Sequence, residues 1–443
     1  MNPTVSIAFQ LPDYNPLIVF SATVLLGIAS GCIGSFLLLR KRSLMGDALS
    51  HATLPGIGIA FAVMIAAGGS GKHLGGLLLG AAISGLLGVF VMYLIRNTTR
   101  LRDDVAMGLV LSVFFGVGVA ILGMVQTLPN AAGLEAYIYG RPASIILSDL
   151  VWIGIMAGIT LLATGLLYKE LTLLCFDEHF GRAQGWPVGA LDLILLGLVT
   201  AITVVGLQAV GLILIIALLI TPPSAARFWT HDLSRMMQLS AMIGGFSGGL
   251  GSLISSRLPD MPAGAVIVLV AATIFLISMI FAPARGVLVR RIRRQRLRQK
   301  VDRQHLLRAA YELLESESKT TDQLLPIGNH PLPFQSLLAK RTWSRKELTR
   351  IARTAIRRGD LERDASDSIC LSEAGFGEAA RITRNHRLWE VYLVTHADIA
   401  PSHVDRDADM VEHILEADLV RKLEQALQRN GDWVPQPDSL HQL

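Results

Sequence analysis

The sequence predicts an all-α polytopic membrane domain (about 8–9 transmembrane helices) followed by a soluble winged helix-turn-helix and helical dimerisation domain. Three observations predict it. From Pro16 to Phe281 the chain is almost continuously apolar, and from Arg290 onward it is charged. In the charged half, helical patterns lead into a basic helix and then a short alternating segment, the order of a winged helix. The mean hydropathy of +0.48 averages these two halves, and 443 residues are too many for a single core.

Apolar stretches near 17–39, 44–67, 74–95, 105–126 and 149–168 each approach the roughly 20 residues a helix needs to cross hydrocarbon. The run 190–227 is too long for one helix and is interrupted around Gly206-Leu207-Gln208 and Gly211, which reads as two short spans. Two more near 236–256 and 264–283 make nine, with eight or ten if the interrupted region is re-entrant. Glycines recur at 27, 31 and 34 and again at 244, 245, 248, 249 and 251. Small residues at such spacing let helices pack closely in lipid.

Charge orients the spans. Arg40-Lys41-Arg42, Arg96 with Arg100 and Arg102, Lys169 with Arg182, and Arg227 with Arg235 fall on alternate loops. They share a side with the cluster Arg290, Arg291, Arg293, Arg294, Arg296, Arg298 and Lys300, while the opposite loops carry only Lys72, Arg141 and Arg257. By the positive-inside rule the N-terminus is outside and the soluble half is cytoplasmic. The basic cluster then reads as a topology anchor at the exit of the last span, and it accounts for most of the net charge of +5. Domains are expected at 1–285 (membrane), 286–300 (basic linker), 301–375 (winged helix), 376–430 (dimerisation and sensing) and 431–443 (tail). Cys32, Cys175 and Cys370 are scattered and form no CxxC pair, which argues against a disulfide framework or a thiolate metal site. The first apolar run has no basic n-region before it and is long enough to span, so no cleavable signal is expected.

The most informative stretch is Gly46-Asp47-Ala48-Leu49-Ser50-His51. Four residues make about one helical turn, so Asp47 and His51 project from one face. An ionisable side chain at membrane depth costs several kcal/mol (roughly 2.5 or more) unless it meets a partner, water or an ion. A carboxylate and an imidazole together offer two ligands to a divalent transition metal. The plain alternative is an acid–histidine pair that satisfies itself between helices. Gly71-Lys72-His73 superficially resembles a phosphate loop, but Ala66 stands where the first glycine should be and His73 replaces the hydroxyl, so no ATP site is expected in this chain.

Further segments extend the pattern: Ala52-Thr53-Leu54-Pro55-Gly56 directly after His51, Arg102-Asp103-Asp104-Val105-Ala106-Met107-Gly108, Gly206 and Gly211 around Leu207 to Val210, and Ala217 to Ala226 with Thr221-Pro222-Pro223. Together, and in this order, they resemble the integral-membrane permeases of manganese, zinc and iron ABC transporters, over roughly residues 15–285. The resemblance implies import dependent on a periplasmic or lipid-anchored metal-binding protein, a separate ABC ATPase subunit and a second permease subunit, the same chain or a paralogue. It makes Asp47 and His51 the permeation ligands. Phe176 to Pro187 is similar to the coupling helix such permeases present to the ATPase, with Glu178, Arg182 and Gly185 at its contact positions; Glu178 and Arg182 are spaced to pair.

In the second half, Leu306–Glu317 is amphipathic, Trp343–Arg357 leads into a basic helix, Glu362–Ser372 alternates like a hairpin turning at 364–368, and helices are expected at 373–395 and about 407–428. His386 and Glu390 are four apart, and Asp409, Glu412 and His413 fall at i, i+3 and i+4 on one face. Such donors suit manganese or iron(II) and also hold zinc. Residues 301–430 resemble metal-dependent repressors of the diphtheria-toxin-repressor and manganese-regulator type. The resemblance implies one regulatory metal site from Asp409, Glu412 and His413 with His305, and a second from His386 and Glu390. Two positions depart from it: Arg308 stands where manganese regulators carry an acid one turn after the His305 position, and Asp405, near His403, stands where the second site takes its last histidine. Arg345, Lys346, Arg350 and Arg353 on the basic helix are the candidate contacts to promoter DNA. The expected function is therefore a divalent-metal ABC permease fused to a metal-responsive regulator. The competing reading is a proton-coupled metal transporter whose soluble half dimerises or gates without binding DNA.

Overall fold

In a computed structural model of the chain, the residues described are 14–42, 44–69, 71, 73–127, 145–258, 261–321, 330–364, 368–397, 420–422 and 424–425. The chain divides into two compact units, Met1–Arg290 and Arg291–Leu443.

The first unit is helical wherever the apolar runs predict it: α1 (Tyr14–Leu39), α2 (Met45–Ala52), α3 (Leu54–Ala66), α4 (Leu74–Thr98), α5 (Asp103–Val125), α6 (Leu147–Leu166), α7 (Tyr168–Phe176), α8 (Glu178–Ala183), α9 (Val188–Val210), α10 (Leu212–Arg227), α11 (Leu233–Arg257) and α12 (Ala263–Phe281). Among the described residues seven segments are long and apolar enough to cross a bilayer, with α2 and α3 forming one of them. Of the other two expected spans, α10 has only 16 residues, and α11 has 25 but is rich in Gly and Ser. The predicted interruption falls at Gly211, whose φ of +90° only glycine adopts without strain. It leaves α9 a full-length span of 23 residues, where the sequence suggested two short ones.

α1 is the central post. Its buried face (Leu26, Ile33, Phe36) belongs to the main core together with Leu49, Leu195, Ile215 and Leu218 from α2, α9 and α10. Against α11 it forms a seam of backbone on backbone: a Cβ at Gly27 would lie 2.2 Å from the Gly244 carbonyl oxygen, and one at Gly244 would lie 2.1 Å from that of Gly27. Ser240 Oγ donates to the Gly31 carbonyl at 2.6 Å and Thr23 Oγ1 to the Gly248 carbonyl at 3.1 Å. Hydroxyls satisfied on carbonyls serve in lipid as the polar glue that apolar contact cannot supply.

The second unit starts within α13 (Val287–Thr321), so the segment expected as a basic linker is helix. β1 (Leu332–Pro333), α14 (Phe334–Lys340), α15 (Arg345–Arg357), β2 (Leu361–Arg363), β3 (Ser368–Leu371) and α16 (Glu373–Ala397) follow. The sheet order is β1-β3-β2, all antiparallel, with Glu362 opposite Cys370. Leu306, Ala310, Leu337, Leu348, Ala355, Leu361 and Ile369 bury against one another to make the core of this unit. The expected hairpin is thus the wing and α15 the basic helix. The helix expected near 407–428, with Asp409, Glu412 and His413, lies almost wholly outside the described residues, and so do Asp405 and His403 before it.

Candidate functional site

α2 is short because Pro55 opens α3 and Thr53 serves both as the C-cap of α2 and the N-cap of α3. Ser50 Oγ donates to the Gly46 carbonyl (2.6 Å), Thr53 Oγ1 to that of Ser50 (2.6 Å), and Ser84 Oγ of α4 to that of Ala52 (2.6 Å). These bonds hold a break inside a span without leaving buried carbonyls unsatisfied. On this helix Asp47 Oδ1 lies 3.4 Å from His51 Nε2, with side chains 32 % and 18 % exposed. The His51 ring stands edge-on to Phe115, centroids 4.8 Å apart. Its Nδ1 is buried and meets no hydrogen-bond partner among the described residues. The sequence-predicted pair is therefore brought together, partly open, with an imidazole nitrogen to spare, which fits a donor set for a passing cation. Among the described residues no three His, Cys, Asp or Glu side chains cluster closely enough to hold a metal by themselves. A pair that cannot complete a coordination sphere binds weakly enough to release what it binds.

One end of the bundle gathers a charge network that sequence reasoning missed. Asp192, the lone acid of α9 and 4 % exposed, takes both Oδ atoms of its carboxylate to Arg42 Nη1 (2.9 and 3.0 Å). It also accepts from Arg40 (3.0 Å) and Arg96 (3.1 Å). Arg42 continues to Asp103 at the start of α5 (3.1 Å), and Arg40 to Glu178 of α8 (3.2 Å) and the Leu174 carbonyl (2.7 Å). Burial works against the Arg42 charge, but Asp192 and then Asp103 outweigh it and raise its pKa above the usual arginine value. The signal for Asp192 was available: a single carboxylate within an apolar run demands a partner.

The segment expected to couple to an ATPase is the six-residue α8, capped by Asp177 Oδ1 on the Phe180 amide (2.9 Å). Glu178 and Arg182 pair as predicted. Burial favours the neutral form of Glu178, yet Arg40, Arg96 and Arg182 overcome it and hold the carboxyl below its ordinary value. Gly185, at φ +83°, turns the chain toward α9.

In the second unit, Ser344 and Glu347 form a reciprocal capping box on α15. Leu348, Ile351, Ala352 and Ala355 face the core while Arg345, Lys346, Arg350 and Arg353 are exposed. His386 and Glu390 on α16 meet as predicted, Nε2 to Oε1 at 3.0 Å, and both are buried. Arg308 of α13 meets His386 as well: its Nη1 lies 2.6 Å from Nδ1 and 3.0 Å from Nε2, and its Nε 3.0 Å from Glu312 Oε1. With a guanidinium already on the imidazole, this pair does not fit a divalent metal. His305 lies one turn before Arg308 on α13.

Comparison with known proteins decides the class. The profile of the ABC 3 transport family matches residues 15–282. The chain belongs to the ABC 3 transport family. It is a membrane permease subunit, and the proton-driven alternative is set aside. A second profile, the metal binding and dimerisation domain of iron dependent repressors, matches residues 372–431. The manganese transport system membrane protein MntC of Bacillus subtilis (strain 168) is 36 % identical over 404 residues, 91 % of this chain and 89 % of that protein. A likeness of that length crosses from the permease into the regulator half. The zinc transport system membrane protein TroC of Treponema pallidum (strain Nichols) is 44 % identical over 287 residues, 64 % of this chain and 95 % of that protein. Among solved structures, PsaBC from Streptococcus pneumoniae in complex with Fab is similar, with 31 % identity and a TM-score of 0.55, covering 63 % of this chain and 96 % of that one.

Proposed function

We propose that this chain imports a divalent transition metal, manganese, zinc or iron(II), as the permease of a binding-protein-dependent ABC transporter. Asp47 and His51 form the ligand pair in its path. The observation that carries this reading is the pair itself: acid and imidazole together on a broken helix within a span, with one imidazole nitrogen left to a ligand. The names of the related MntC and TroC, manganese and zinc transport proteins, support the cargo class. Further donors come from water or from a second permease subunit, identical or paralogous. The chain sits in the inner membrane with its N-terminus outside and the regulator half in the cytoplasm, where α8, with Glu178, Arg182 and Gly185, meets the ATPase. A periplasmic or lipid-anchored metal-binding protein loads the opposite mouth.

The soluble half, in this reading, senses metal after import through Asp409, Glu412 and His413 with His305, and binds promoter DNA through Arg345, Lys346, Arg350 and Arg353. The exposed basic face of α15 supports that reading. Two measurements test the proposal. Radiolabelled manganese uptake by cells carrying the whole transporter should fall at least about tenfold in Asp47→Ala and in His51→Ala, as loss of one ligand of a minimal set implies; unchanged uptake in both sinks the path. The full chain in lipid nanodiscs should retain its operon's promoter DNA only with metal, and His413→Ala should abolish retention. A folded chain indifferent to metal and DNA would leave this half as a dimerisation or gating domain.

A further inference from the structure

The geometry points to Arg308 as a tethered cation that takes the place of a metal ion in the His386–Glu390 pocket, making this part of the regulator half independent of metal. Four observations carry it. Arg308, Glu312, His386 and Glu390 are 2 %, 9 %, 1 % and 0 % exposed, so the charges meet away from water. The guanidinium, which can only donate, reaches His386 Nδ1 at 2.6 Å. The same Nη1 lies 3.0 Å from Nε2, which also faces Glu390 Oε1 at 3.0 Å. A metal requires the lone pair of an imidazole nitrogen. Here the Arg308 guanidinium lies within 3.0 Å of both ring nitrogens, so an ion bound to either would meet it at contact distance. Glu312 Oε1 at 3.0 Å from Arg308 Nε completes the clamp and fixes the guanidinium from its own helix.

The charge argument agrees with the hydrogen bonds. A divalent cation entering the pocket would meet a permanent positive charge in a weakly screened interior, where like charges repel most strongly. Arg308 supplies what a metal would, a cation joining α13 to His386 of α16, but does so permanently. The neighbouring Arg387–Glu315 pair joins the same two helices, so their packing is held by ion pairs built into the chain. Any metal response of this half is then confined to the site proposed from Asp409, Glu412 and His413 with His305. The inference rests on the regulator reading only for that corollary.

The test counts manganese bound by the full chain purified in detergent, by elemental analysis after gel filtration from buffer containing manganese ion alone. In the unaltered chain, His386→Gln should leave the count unchanged. Arg308→Glu should gain about one manganese ion per chain, since it restores an acid beside an imidazole and a carboxylate; adding His386→Gln should remove the gain. Arg308→Ala, which deletes the cation without adding a ligand, should also gain metal, more weakly, and guards against misfolding of the acidic variant. Loss of a manganese ion from the unaltered chain on His386→Gln would overturn the proposal. So would Arg308→Glu and Arg308→Ala chains that elute as folded protein and bind no more metal than the unaltered chain. His413→Ala reads the sensor proposal separately: its metal loss, or lack of one, leaves the Arg308 comparison intact.

Discussion

Single charged residues inside this bundle carry more consequence than any exposed pair. Asp192 anchors three arginines with almost no water to share the work. Removing one partner of such a buried network leaves uncompensated charge, at a cost of about 3–5 kcal/mol. Asp192→Asn should therefore lower the thermal midpoint of the purified chain far more than Asp104→Asn, whose partner Arg102 is exposed. Fluorescence-detected melting in detergent decides it, and equal shifts would mean the arginines find other acceptors. Glu178 provides a pH test of the same network. Its folded pKa is depressed below 4.5, so its contribution is fully present above about pH 4.5 and is lost as pH falls through the lower, folded value. Glu178→Gln should cost on the order of 1 kcal/mol at pH 7. The gap to the unaltered chain should narrow as the pH is taken below 4.5.

Elements are set here by backbone geometry as much as by hydropathy. The α1–α11 seam leaves no room for a Cβ at Gly27 or Gly244, so Gly244→Ala should push two helices apart and cost about 1–3 kcal/mol. The same change at Gly123, which has open space around it, should do little. Melting of the two variants side by side checks both statements. In the regulator half, Ser344 caps α15 and receives Glu347 in return. Ser344→Ala should cost about 0.5–2 kcal/mol, read as a lower denaturant midpoint of that half by hydrogen exchange on α15. The break at Gly211 was legible because glycine interrupts an apolar run that is too long. The full length of α9 was not, because Gly206 lies within the helix without ending it.

Across the whole molecule, transport and regulation lie in two units of one chain, and the proposal assigns them separable chemistries. A chain ending at Arg290 should still take up manganese with its transporter partners but lose metal-dependent promoter binding. Uptake assays beside nanodisc DNA retention test both halves, and loss of uptake on truncation would mean that the soluble half takes part in the transport cycle. What the sequence by itself determined is whatever follows from periodicity, length and composition: apolar runs as helices, the Asp47–His51 and His386–Glu390 pairs one turn apart, the capped basic helix and its wing. These are local, since residues four apart on a helix meet whatever surrounds them. Tertiary structure alone decided what those pairs face. Arg40, Arg42, Arg96, Asp103, Glu178 and Asp192 are scattered over more than 150 positions and converge only when five helix ends pack together. Arg308 is visible in the sequence as a departure, but only the packing of α13 on α16 delivers its charge to His386. Long-range pairing of charges depends on which surfaces bury one another, and no local spacing encodes that.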